Sequence, residues 1–216
     1  MRDFKKIIII GPQGSGKGTQ AAALSKEFGL PHISTGAMFR GHINRVTSLG
    51  LQVRKILEQG QLVPDELTNQ IVKERLAATD CQGGFILDGY PRNIEQVKFL
   101  EGLAKIDAVL EIWLSDQEVI RRLAGRRGCV CGAIYHLDYH PPQKENICDQ
   151  CGQELKRRND ESDEALSRRL AIYHQQTEPL IEYYQKKGVL MEINGAPPIT
   201  QVTAEIFIKL NNKDFS

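Results

Sequence analysis

The sequence predicts an α/β fold in which a parallel sheet of five strands is wrapped by helices on both faces. Short apolar runs at residues 7–10, 85–87, 109–114 and 189–193 are strand-sized and bounded by glycine or charged residues. Longer stretches with helical period separate them, and strands alternating with helices need the crossover connections of a parallel sheet. The 216 residues are 41% hydrophobic, enough to bury a core without disulfide staples.

Taken in order, residues 7–10 form the first strand, and a Gly-rich turn leads into a helix over 17–28. His32-Ile33-Ser34 adds a short fifth strand. The helix over 65–78 starts at Asp65 with Thr68, that over 93–104 at Asn93 with Gln96, and that over 116–125 at Ser115-Asp116 with Glu118. One long helical stretch covers 161–187, and a last helix covers 199–210. Residues 34–63 carry helical pattern with no strand, and residues 126–161 are rich in Cys, Gly and Pro. Both read as insertions on a core made of 1–33, 64–125 and 162–216.

Charge excludes some functions. With 28 Lys+Arg against 27 Asp+Glu, the net charge of +1 leaves no basic footprint for nucleic acid or an acidic membrane, so any anion site is local. The apolar run 7–10 is too short for a signal peptide, and no run spans a bilayer. The cytoplasm is the expected compartment. Disulfides are rare there, so four cysteines between 129 and 151 point to a metal.

The sequence Gly11-Pro12-Gln13-Gly14-Ser15-Gly16-Lys17-Gly18-Thr19 follows a strand and opens a helix. Glycines there let backbone N–H groups turn toward phosphate oxygens, the helix N-terminus adds its dipole, and Lys17 adds a charge. Gly18 stands where a Ser or Thr usually holds Mg²⁺. Magnesium is therefore expected on phosphate oxygens and water, with Asp88 as an outer anchor at the end of the 85–87 strand.

The loop ending Gly16-Lys17-Gly18-Thr19, then Ser34-Thr35-Gly36 with Arg40, Asp88-Gly89-Tyr90-Pro91-Arg92 with Gln96, Gly125-Arg126-Arg127, Arg158-x-Asp160 and Arg169 resemble adenylate kinases in order and spacing. The match spans nearly the whole chain, and 126–161 resembles the long bacterial lid. The resemblance implies the P-loop nucleoside-monophosphate kinase fold, with an AMP-binding insertion at 34–63 and a lid at 126–161. It implies Mg²⁺-dependent transfer of a phosphoryl group from ATP to AMP, giving two ADP, by a monomer with no nucleic-acid or membrane partner. Lys17, Arg92, Arg126, Arg158 and Arg169 are then the catalytic cations, suited to the task because a guanidinium binds phosphate bidentately and keeps its proton. ATP is implied to meet Gly14 to Thr19, Arg126, Ile134, Tyr135 and Pro197. AMP is implied to meet Thr35, Arg40, Gln61, Leu62, Val63, Gly89, Tyr90, Pro91, Arg92, Gln96, Arg158 and Arg169. Ala37 departs from the family's usual Asp, and Tyr90 from its commoner Phe. A kinase for UMP or CMP, and an ATP-gated zinc-ribbon binding module, are the competing readings.

Cys129-Val130-Cys131 and Cys148-Asp149-Gln150-Cys151 frame sixteen residues, the pairing of a structural Cys₄ zinc site. The first pair is one residue shorter than the family's knuckle. His136 or His140 is an alternative ligand, and a metal-free lid is the other possibility. Cys81 reads as structural. Arg121 and Arg168 read as surface ion-pair residues, and Asp160 either holds the lid in register or caps a helix.

Overall fold

The computed structural model describes residues 4–157 and 161–215. Strands β1 (Lys6–Ile10), β2 (His32–Ser34), β3 (Phe85–Asp88), β4 (Ala108–Trp113) and β7 (Leu190–Asn194) form one sheet in the order β2-β3-β1-β4-β7. Every pairing in it is parallel. The connecting helices are α1 (Lys17–Phe28), α2 (Thr35–Asn44), α3 (Ser48–Glu58), α4 (Asp65–Leu76), α5 (Ile94–Glu101) and α6 (Asp116–Gly125). After the small antiparallel pair β5 (Arg126–Gly128) and β6 (Ile134–His136) come α7 (Asp163–Ile172), α8 (Pro179–Lys186) and α9 (Ile199–Asn212).

Strand side chains alternate between faces, so β1 feeds two cores. Ile7 and Ile9 pack with Leu24, Ile86, Leu110 and Ile112 against Val202 and Ile206 of α9. Ile8 and Ile10 pack on the other face with Leu87, Val97, Leu100 and Leu180. Both faces being covered, the strands are nearly all apolar.

The sheet and its flanking helices match the sequence reading, with two local corrections. Asp65 is not a cap: Pro64 precedes the helix, and the Asp65 carboxylate accepts hydrogen bonds from Asn93 Nδ2 and Gln96 Nε2 instead. The predicted helix over 161–187 is broken by a π turn at Tyr173–Thr177. Pro179 has no N–H to continue the ladder, and Glu178 N reaches back five residues to the Tyr173 carbonyl at 2.9 Å. Among the described residues, no helix is long and apolar enough to cross a membrane.

Candidate active site

The turn after β1 packs its backbone tightly against β4. A Cβ on Gly11 would lie 2.3 Å from the Ile112 carbonyl oxygen, so only glycine fits. Gly16 caps α1 in the left-handed region, and the loop's amides are gathered at the helix start. Ser15 is 2% exposed and its hydroxyl has no hydrogen-bond partner. Lys17 Nζ donates to the loop's own Gly11 and Pro12 carbonyls at 2.6 and 2.5 Å. Burial lowers the Lys17 pKa to about 8; Asp88 opposes the shift, while Arg92 and Arg126 add to it. An orphaned hydroxyl and a cation turned onto carbonyls are groups that phosphate oxygens would satisfy.

Asp88 ends β3 facing this loop, its Oδ2 3.5 Å from where a Gly18 Cβ would stand. Burial raises its pKa, but His32, 3.4 Å away, and Lys17 together hold it below the usual carboxylate value. A buried, ionised carboxylate opposite the side-chain-free Gly18 fits an outer anchor for hydrated Mg²⁺.

A second pocket adjoins Asp88. The Gly89 carbonyl accepts from Thr35 Oγ1 at 2.9 Å and from Arg92 Nε at 2.7 Å. A Cβ on Gly89, whose φ is +77°, would press on both side chains, 3.1 Å from Arg92 Nη2 and 3.2 Å from Thr35 Oγ1. Arg40 lies over Gly36, one turn earlier on α2. Gln96 is 1% exposed; its Oε1 accepts from Arg92 N and its Nε2 donates to Asp65. Thr177 Oγ1 donates to the Arg92 carbonyl at 2.8 Å, so β3, α5 and the π turn fix the loop that carries Arg92. Gln61 N bonds the Ile56 carbonyl, Val63 is buried with its carbonyl near Thr68 Oγ1, and Leu62 between them is half-buried.

From the lid side, Arg169 Nη1 reaches Gln13 Oε1 of the phosphate loop at 2.6 Å. Arg126 donates to Glu161, which is fully buried. Arg158 and Asp160 lie outside the described residues. Arg121 pairs with Glu118 at the surface as read, whereas Arg168 donates to the Gln59 carbonyl and ties α7 to the 34–63 insertion. Arg122, the residue after Arg121 on α6, spans from Glu118 to the Ala196 carbonyl beside Pro197. Ile134 is exposed, but the Tyr135 ring is 4% exposed and stacks on His140, so its side chain serves the lid's own core.

In the lid, the Sγ atoms of Cys129, Cys131, Cys148 and Cys151 all lie within 4.8 Å of one another. Cys129 stands 3.3 Å from Cys151, and Cys131 3.7 Å from Cys148. Four sulfurs around zinc at about 2.3 Å are about 3.8 Å apart, so the cluster has the dimensions of a tetrahedral site. The shortened Cys-x-Cys pair therefore brings both its thiols in. His136 stays out: its Nδ1 accepts from Asp138 N and Tyr139 N, and its ring packs on Gly125. His140 stacks on the Tyr135 ring and does not join the four clustered thiols.

Residues 9–189 match the family model described as adenylate kinase. The chain belongs to the adenylate kinase family. It is 45% identical to the adenylate kinase of Acetivibrio thermocellus, over 95% of this chain and 98% of that one. It is 47% identical to the adenylate kinase of Acholeplasma laidlawii, over 96% and 99%, and 47% identical to that of Methanothrix thermoacetophila, over 93% and 95%. The sheet and its helices are the nucleoside-monophosphate kinase fold. Its departures from the family pattern have local explanations. The extra hydroxyl of Tyr90 is buried but donates to Asn69 Oδ1 at 2.6 Å. At Ala37 the start of α2 is capped without an acidic residue, the Ser34 side-chain Oγ accepting from Ala37 N. Sequence reasoning missed His32, Asp65, Arg122 and Glu161. Each of the first three has a partner 28 to 74 residues away, beyond any local spacing. Glu161 did carry a signal, as the acid that follows Arg158-x-Asp160 and precedes the Ser162 cap.

Proposed function

We propose that this chain transfers the terminal phosphoryl group of ATP to AMP, reversibly, giving two ADP. The observation that carries the reading is the convergence of cations from three parts of the fold. Lys17 of the phosphate loop, Arg92 after β3 and Arg126 at the lid's base lie close enough for the arginines to depress the lysine's pKa. Five phosphates meeting in one place need that concentration of positive charge, and the transfer is then mainly positioning and charge neutralisation.

In this reading ATP lies along Gly14 to Thr19 with its triphosphate toward Lys17, and its base rests between the lid and the loop held by Arg122 at Pro197. AMP lies between Thr35, Gln61 to Val63, Gly89 and Gln96, with its phosphate on Arg40 and Arg92. Gln96 holds Arg92 N and Asp65, so it also positions the AMP clamp. An AMP phosphate oxygen attacks the γ-phosphorus, the bond to the β–γ bridging oxygen breaks, and ADP leaves as a charge-stabilised anion. Lys17, Arg92, Arg126, Arg158 and Arg169 hold the negative charge as it spreads. Asp88 and phosphate oxygens would hold Mg²⁺, which supplies neutralisation of the β and γ oxygens when bound. No side chain is needed as a base, because the attacking phosphate oxygen carries no proton at neutral pH. Segments 34–63 and 126–161 are the moving parts, and their closure excludes the water that would otherwise hydrolyse ATP. Every group named comes from one chain, so the working form is read as a monomer, and reduced zinc thiolates suit the cytoplasm.

A coupled assay of ADP formation with AMP, CMP, UMP and GMP tests the reading. AMP-dependent, Mg²⁺-dependent ATP consumption is expected, with AMP the preferred acceptor. Lys17→Met and Arg92→Ala are expected to lower turnover by about two orders of magnitude or more. Folded wild-type protein without AMP-dependent turnover would refute the proposal.

A further inference from the structure

Two side-chain amides and a carboxylate form one hydrogen-bond circuit beside the pocket at Thr35, Gly89 and Arg92. Gln96 N donates to Asn93 Oδ1 at 2.9 Å, so Asn93 Nδ2 turns the other way and donates to both oxygens of Asp65, at 3.0 and 3.1 Å. Asp65 Oδ1 also accepts from Gln96 Nε2 at 2.7 Å, and Gln96 Oε1 accepts from Arg92 N at 2.8 Å. An amide side chain can be turned end for end unless its neighbours oppose it, and here they do. Both ends of the circuit are backbone N–H groups, which only donate, and its middle is a carboxylate, which only accepts. The polarity of every bond between them follows. Turning the Gln96 amide over would set its oxygen against Asp65 and its N–H groups against Arg92 N.

After these bonds Gln96 keeps one N–H on Nε2 and one lone pair on Oε1, in an order that the circuit fixes. That order fits the edge of adenine, where N1 accepts and the 6-amino group donates. It opposes a 6-oxopurine, where N1–H donates and O6 accepts. Gln96 is 1% exposed, so water cannot stand in for a mismatched partner. We propose that Asp65 is a positioning residue for base choice: by fixing which end of the Gln96 amide donates, it makes the acceptor pocket select 6-aminopurine over 6-oxopurine monophosphates. The proposal rests on the phosphoryl-transfer reading above, which puts AMP against Gln96. Asp65 touches no nucleotide in this arrangement. It also holds Asn93, the cap of α5, so a purely structural role would lower turnover of every acceptor alike, whereas the proposed role changes their ratio.

The test measures kcat/KM for AMP and for IMP, whose base differs from adenine only at N1 and C6. The proteins are wild type, Asp65→Asn, Asp65→Ala and Asn93→Ala, with binding of each monophosphate followed by calorimetry. Wild type is expected to prefer AMP by about a hundredfold or more. Asp65→Asn can offer Gln96 Oε1 a donor while the Arg92 N–H still opposes the turned amide, so the AMP/IMP ratio is expected to narrow by about tenfold. Asp65→Ala removes the acceptor outright; it is expected to narrow the ratio as well, and covers the case in which asparagine keeps its own oxygen toward Gln96. Asn93→Ala loses the cap but keeps the bond from Gln96 to Asp65, and is expected to lower the melting temperature with the ratio kept within about threefold. A ratio unchanged in both Asp65 variants, or one that falls as far in Asn93→Ala, would overturn the proposal while leaving the transfer reading intact. Wild-type protein without AMP-dependent turnover would overturn the transfer reading, and the calorimetric ratio would then decide the proposal by the same criteria.

Discussion

The segments 34–63 and 126–161 interrupt the same sheet, yet different physics holds each of them. The first is two helices whose apolar side chains, Phe39 and Val53 with Val63 behind them, join the main core beside Ile8 and Leu87. The second has a core of its own made of Tyr135, Cys148 and Leu155, with Cys129 and Ala133 at its margin. Burial of apolar area can hold the first segment; in the second it cannot balance the entropy of ordering so many polar residues. Four thiols at zinc-ligand spacing would fill that deficit on binding the metal. A segment that borrows the core is stabilised along with it. A segment folded by a metal keeps its shape while moving as a unit, which suits a lid.

The sharpest way to break this comparison is to remove the metal. The protein is expected to contain about one Zn²⁺ per chain, and structural zinc sites contribute about 10–16 kcal/mol at neutral pH. Chelation is therefore expected to open residues 129–151 to protease while 34–63 and the core stay protected, with turnover falling less than lid stability. Equal cleavage of both segments, or a lid unaffected by a strong chelator, would show that the contrast is false.

A finer break separates the ligands. Cys129→Ser and Cys148→Ser are expected to lower zinc content and melting temperature by similar amounts, because both sulfurs belong to the cluster. His136→Ala is expected to leave zinc content unchanged, since its ring is engaged with Gly125 and the backbone of Asp138 and Tyr139. Loss of zinc in His136→Ala with retention in Cys129→Ser would move the site to Cys₃His. On the other side, Phe39→Ala removes a 4%-exposed ring from the shared core and is expected to cost about 3–5 kcal/mol. Calorimetry should then show one cooperative transition shifted down as a whole, since the insertion and the core share that cluster.

The same contrast governs what the sequence made legible. The phosphate loop was readable because strand, glycines, Lys17 and helix are contiguous, and α1 and α6 fall where period and caps put them. The four thiols were readable from spacing, but spacing alone left His136 and His140 open as ligands. The role of Asp65 was misread and that of Gln96 incomplete because the two bond to each other across the fold, 31 residues apart, and Thr177 went unread because its partner Arg92 lies 85 residues back. Helical period between 161 and 187 continued through a break whose cause, Pro179, was visible but whose form, a π turn rather than an end, depends on packing.

The smallest effect lies in the segment that the core stabilises best. Val46 closes the turn between α2 and α3 with φ +53°, a left-handed conformation that a β-branched residue rarely adopts. Its side chain is 61% exposed, so little burial offsets the strain, while its N–H bonds the Ile43 carbonyl at 3.1 Å and fixes the turn. Left-handed backbone costs an L-residue about 1–2 kcal/mol, and glycine loses about 0.5–1 kcal/mol more than alanine in conformational entropy on folding. The difference predicts that Val46→Gly stabilises by about 0.5–1 kcal/mol, a rise of roughly 1–4 °C in melting temperature for a chain of this size. Asparagine, which tolerates the left-handed region, should give part of that gain. A segment anchored in the main core can carry such strain without opening, whereas the lid is proposed to depend on its zinc. A fall in melting temperature for Val46→Gly would mean that the valine packs more than its exposure implies, and that 34–63 is held by its surface as well as by its core.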